Sequence, residues 1–191
     1  GDIYHGDKEI KFKLNMVLSN RFLTCQDQII GTLYFNCLNH IIASETYLMS
    51  IGKYNVHINR VTDGFSIYIS GYPGKFMDTL KYVISSLLNI QDHLSSNLFT
   101  NIRDNYKKEL ENYKFKASYT KLGGELCTNV INNCFTIDEQ IQTINNITYY
   151  DLTNYDLFGN LGFRNKRLKL IQNYFYCLVQ GNLLVSDANI I

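Results

Sequence analysis

Thr62-Asp63-Gly64-Phe65-Ser66-Ile67-Tyr68-Ile69-Ser70-Gly71-Tyr72-Pro73-Gly74 is the stretch that decides the fold of this 191-residue chain. Asp63-Gly64 is a hairpin dipeptide, because both residues tolerate the positive φ angles that match a tight turn to the twist of its strands. Phe65, Ile67 and Ile69 then alternate with Ser66, Tyr68 and Ser70, the period of two that marks a strand with one buried face. Gly71-Tyr72-Pro73-Gly74 closes that strand with the only proline of the chain, a residue with no N–H to give to a sheet ladder. Turn, strand and breaker together set the register of a sheet and the point where helices leave it.

Working upstream, Tyr54, Val56, Ile58 and Arg60 alternate against Asn55, His57, Asn59 and Val61, which supplies the first strand of the hairpin. Residues 9–19 alternate too, with Ile10, Phe12, Leu14, Met16 and Leu18 on the inner face. Between these strands, Thr24 caps a helix expected over residues 25–49, with Asp27 in its first turn and Gly52 beyond its end. Its Ile30, Leu33, Tyr34, Cys37, Leu38, Ile41, Ile42 and Leu48 recur at helical steps over a broad face. Asn20 to Leu23 reads as a connection.

Working downstream, a helix is expected over residues 75–88, with Phe76, Leu80, Val83, Ile84 and Leu87 inside. Ser95 or Ser96 starts the next, reaching about Phe115 on an inner stripe of Leu98, Ile102, Tyr106, Leu110 and Tyr113. Residues 118–132 read as helical. Thr136 with Glu139, and Thr148 with Asp151, repeat a capping-box signature; the second starts a helix expected through about Leu161. A basic loop over 162–169 precedes the last strand, residues 171–180, which closes on Gly181-Asn182. The order is β-α-β-β, about five helices, then β. That is an α+β fold, one mostly antiparallel or mixed sheet covered by a layer of helices, read here as a single domain over residues 1–191.

Composition bounds the function. Lys and Arg number 18 against 17 Asp and Glu, a net charge of +1, without the basic excess a nucleic-acid binder carries. No apolar run approaches the ~20 residues of a membrane span. Five cysteines, Cys25, Cys37, Cys127, Cys134 and Cys177, form no C-x-x-C pair, so they read as buried free thiols of a reducing compartment. The N-terminus has no signal peptide, but Gly1 stands where an initiator Met would be, which points to a piece of a longer protein.

A search for chemistry returns little. Zinc peptidases place two His and a Glu on one helix, as His-Glu-x-x-His or His-x-x-Glu-His, and neither pattern occurs among His5, His40, His57 and His93. Glu45 follows His40 by five residues, about 500° around a helix and off its face. Cys127 and Cys134, seven apart on an expected helix, read as core rather than as nucleophiles. Gly123-Gly124 lies in no phosphate-loop pattern. Arg164, Lys166, Arg167 and Lys169 form the densest basic run, a solvated loop or a contact for an anion or acidic peptide. No catalytic, metal or cofactor-binding residue is assigned in this chain.

A resemblance carries further. Gly64 to Tyr72 with Lys75, Phe99-Thr100-Asn101-Ile102-Arg103-Asp104, Leu110-Glu111-Asn112-Tyr113-Lys114 and Leu178-Val179-Gln180-Gly181-Asn182 resemble the third domain of the insulinase/pitrilysin zinc metallopeptidases. Phe12-Lys13-Leu14-Asn15-Met16 resembles the first strand of that domain. The family's Gly-x-x-Tyr before the hairpin is one residue shorter here, Gly52-Lys53-Tyr54, which leaves the hairpin register open. The resemblance implies a parent of four related α+β domains closing around a peptide chamber, with zinc held by the first domain and none by the third. It implies a non-catalytic chamber-wall domain whose partners are the other domains and the parent's peptide substrates, truncated after the strand near Asn182. A zinc-free relative serving as a peptide- or partner-binding module remains the alternative. Either way, apolar side chains should stand bare on the helix-poor sheet face or beside residues 183–191.

Overall fold

The structure, a computed structural model, describes residues 9–18, 22–51, 54–61, 64–113, 115–116, 122, 126, 134–155 and 174–181. Strand β1 (Ile10–Val17), helix α1 (Cys25–Ile51), strands β2 (Asn55–Val61) and β3 (Gly64–Gly71), and helix α2 (Pro73–Leu88) come first. A 3-10 turn (Ile90–Asp92), helices α3 (Ser96–Tyr113), α4 (Ile137–Asn146) and α5 (Tyr149–Thr153), and strand β4 (Tyr174–Gly181) follow. The strands form one sheet in the order β2-β3-β1-β4, every pairing antiparallel. This is the expected α+β fold. The expected helix over 118–132 lies almost wholly outside the described residues.

The chain divides into two compact units. The first holds the four strands, α1 from Leu38 onward, α2 and the 3-10 turn. Its register follows the sequence alternation. One inner row runs Val56, Ile69, Phe12, Val179, and the next runs Ile58, Ile67, Leu14, Cys177. Phe12, Met16, Ile58, Phe65, Ile67 and Ile69 are buried, each such side chain contributing about 1.5–3 kcal/mol over an exposed one. α2 packs on β3, and Phe76 meets Phe12 edge to face at 6.3 Å. Burial fades towards β4: in the second row Ile67 is buried, Leu14 half-buried and Cys177 exposed. Leu14 is therefore not the full core residue its alternation suggested.

α2 differs from its expected form at both its start and its stripe. It begins at Pro73 rather than Lys75, because a proline at the first helical position gives up an N–H that would find no partner there. Its buried residues are Phe76, Thr79, Leu80, Val83, Ser86 and Leu87. Ile84 is exposed; at about 100° per residue it falls one step outside that stripe.

The second unit holds α1 as far as Cys37 with α3, α4 and α5. Thr24 caps α1 as expected, accepting from the Asp27 N–H at 3.1 Å. Phe22, read as part of a connection, is buried, and its carbonyl accepts from Gln28 Nε2 at 2.9 Å. Ser95 caps α3 through the Leu98 N–H at 3.2 Å. α3 packs on α4 and α5, burying Phe99 and Leu110, while Leu98, Ile102, Tyr106 and Tyr113 are only half-buried. Phe99 earns its place through the Tyr149 ring 6.1 Å away, a partner distant in sequence.

Both capping boxes form. Thr136 Oγ1 accepts from the Glu139 N–H at 3.3 Å while Glu139 Oε2 accepts from the Thr136 N–H at 2.8 Å. Thr148 and Asp151 repeat the arrangement. α5 nevertheless ends at Thr153, short of Leu161, where the Asn154 N–H turns back onto Leu152 and Tyr150. The backbone N–H of Thr136 first, then its hydroxyl, holds the Glu139 carboxyl below its ordinary value; the Thr148 hydroxyl, then its N–H, does the same for Asp151. Lowered folded values mean the boxes stabilise fully above the ordinary carboxylate range, about 3.9–4.3, and lose that stabilisation as pH falls below that range and through the lowered folded values. A carboxyl NMR titration should place both midpoints below that range, and Thr136→Ala should raise the Glu139 midpoint. A midpoint that Thr136→Ala leaves in place contradicts the capping box.

Candidate functional site

The corner where β3 hands over to α2 is the best-built local feature of the first unit. Tyr72, at the N-cap of α2, offers no side-chain cap. Tyr54 supplies one from the residue before β2: its hydroxyl donates to the Tyr72 carbonyl and accepts from the Lys75 N–H at 3.1 Å. The ring lies across Gly71, where a Cβ would sit 2.2 Å from Tyr54 Cδ1. Gly71, the Tyr72 carbonyl, the Lys75 N–H and the Tyr54 side chain thus form one clamp. The hairpin register left open by the short Gly52-Lys53-Tyr54 is fixed with Val61 opposite Gly64.

In the same cross-strand row as Gly71, Gly181 closes β4 opposite Ile10. It adopts φ +127°, and a Cβ there would lie 2.1 Å from the Glu9 carbonyl oxygen, so only glycine fits. On the sheet face opposite the core, β4 presents Tyr176 and Leu178, 61% and 62% exposed, beside Asn15 and Lys13.

Reactive groups do not converge. His40 is exposed on α1, His57 on β2 and His93 after the 3-10 turn. Among the described residues, no three His, Cys, Asp or Glu side chains gather as a metal site requires. Cys25, Cys37, Cys134 and Cys177 are free, yet only Cys37 is buried and Cys177 is exposed, which corrects the expectation of uniformly buried thiols. Cys134 precedes α4 and belongs to no helix. Burial pushes the Cys37 thiol up to about 12. It also raises Cys25, against the opposing hydrogen bond from the Thr143 hydroxyl at 3.3 Å, and Cys177. A nucleophilic cysteine needs the opposite shift. Arg164, Lys166, Arg167 and Lys169 lie outside the described residues, as do His5 and Cys127. Among the described residues no helix is long and apolar enough to cross a membrane.

The middle or third domain of peptidase M16 is the family whose model matches this chain, over residues 8–143. The chain belongs to that family. No curated protein matches it. The crystal structure of pitrilysin is similar over 96% of this chain and 18% of its own, at TM-score 0.76 and 11% identity. The periplasmic protease PqqL from Escherichia coli is similar over 78% of this chain and 17% of its own, at TM-score 0.61 and 8% identity. A conserved protein from Enterococcus faecalis V583 is similar over 76% of this chain and 36% of its own, at TM-score 0.57 and 15% identity. At these identities the likeness is one of fold. This chain spans less than a fifth of the length of pitrilysin, and a middle domain implies other domains of the same parent chain.

The clamp gives a direct test. Tyr54→Phe keeps the ring on Gly71 and removes both hydrogen bonds, so it should cost about 1–2 kcal/mol in urea unfolding. A variant as stable as the wild-type chain would show that the hydroxyl does not hold the corner.

Proposed function

We propose that this chain is the non-catalytic middle domain of a zinc metalloendopeptidase, contributing wall to a chamber that confines the parent's peptide substrates. Zinc and the hydrolytic groups belong to another domain of the parent. The observation that carries this reading is the middle-domain match over residues 8–143 in a chain with neither His-Glu-x-x-His nor His-x-x-Glu-His. The fold supports it from a second side: among the described residues, the Tyr54 clamp and the two capping boxes use their polar groups on a corner and on helix ends. Fold alone does not confer activity, which lives in sites placed on it. Tyr176 and Leu178 on β4 are where a neighbouring domain of the parent would cover apolar surface.

Two preparations decide the matter. The isolated chain should hold no stoichiometric zinc and leave a fluorogenic peptide uncut, whereas the full-length parent should cleave it in a zinc-dependent way. Zinc-dependent cleavage by the isolated chain would overturn the proposal. A full-length parent that binds peptides but neither holds zinc nor cuts them would replace it with the zinc-free binding module.

A further inference from the structure

Among the described residues β2 is an edge of the sheet, and an edge strand presents unpaired N–H and C=O groups to any chain that can add to it. In an antiparallel pair, alternate residues turn both backbone groups towards the partner strand and the residues between turn both groups away. Ile58, midway along β2, is of the second kind, because both of its groups meet a side chain of α1. Asn39 Nδ2 donates to the Ile58 carbonyl at 2.6 Å, and the Ile58 N–H donates to Asn39 Oδ1 at 3.0 Å. This reproduces, from a single carboxamide, the paired N–H and C=O bonds that one residue of an added strand would make. Around it Asn55, His57, Asn59 and Val61 are exposed, and Arg60, the one Lys, Arg, Asp or Glu of β2, is half-buried, so the edge carries little of the charge that blunts strand addition.

We propose that Asn39 is an edge guard, occupying the ladder positions of Ile58 and so closing β2 to strand addition by a second copy of this chain. A central position is the effective one to block, since a strand that cannot bond at Ile58 keeps only short stretches on either side. The guard needs a donor and an acceptor on one planar group at fixed spacing. Asparagine provides both; alanine provides neither, and aspartate at neutral pH only accepts.

Hydrogen exchange by NMR and light scattering across a dilution series test the guard in wild type, Asn39→Ala and Asn39→Leu. The wild-type chain should stay monomeric with the Ile58 amide protected. In dilute Asn39→Ala that amide should exchange about tenfold faster, the loss of one hydrogen bond, while Ile67 on β3 stays protected as the control for folding. On concentration Asn39→Ala should dimerise and the Ile58 amide should slow again, because the partner strand now bonds it. A variant that stays monomeric at every concentration overturns the proposal, as does a dimer in which Ile58 remains fast, and so does a wild-type Ile58 amide that exchanges unprotected. If Asn39→Ala loses Ile67 protection, the near-isosteric Asn39→Leu, which neither donates nor accepts, carries the same reading, with dimerisation expected and monomer at all concentrations overturning it.

Discussion

The sheet depends on β1 being hydrogen-bonded along both of its sides. Ile10 to Val17 pairs with Gly71 to Gly64 on one flank and with Gly181 to Tyr174 on the other, in a register that puts Leu14 opposite both Ile67 and Cys177. The earliest described strand in the sequence is thus central, and one of its neighbours arrives only near the end of the described chain. Everything between must fold without breaking that closure. Such non-local pairing has a high loop-closure cost, which slows folding and places a premium on local devices that fix each corner. The Tyr54 clamp at the β3–α2 corner and the glycine that ends β4 are devices of that kind.

Much of this was legible in the residues because the signals were local. Period-two alternation located β1, β2 and β3, the β-rich run closing on Gly181-Asn182 located β4, Thr24 and Ser95 marked helix starts, and the two capping boxes formed between the residues that spelled them. The misplaced residues are those whose environment is set by something far away in sequence. Phe99 is buried with the help of Tyr149, and Phe22, in a segment without periodicity, is buried beside α1. Leu14 loses cover because its row ends at an exposed Cys177. Tyr54 and Asn39 looked like ordinary strand and helix residues; their hydroxyl and carboxamide bond backbone 18 to 21 residues away, which no spacing rule announces.

The functional reading rests on a different kind of legibility. Motif arithmetic found no zinc-peptidase pattern, the described donors do not cluster, and the thiols that shift do so away from reactivity. What identified the chain was a set of structural positions, Gly64 to Lys75 above all, and the structure gives many of them architectural work. The features that mark this as a peptidase M16 middle domain are those that build the sheet and its corner.

The central claim is the doubly paired β1, and backbone NMR on the 191-residue chain tests it most directly. Cross-strand contacts should connect Leu14 to both Ile67 and Cys177, with the same register holding at Phe12 to Ile69 and Val179. Contacts from Leu14 to Tyr176 or Leu178 in place of Cys177 would mean a one-residue slip that turns the inner face of β4 outward. Such a slip, or a β1 bonded on one side only, would contradict the account.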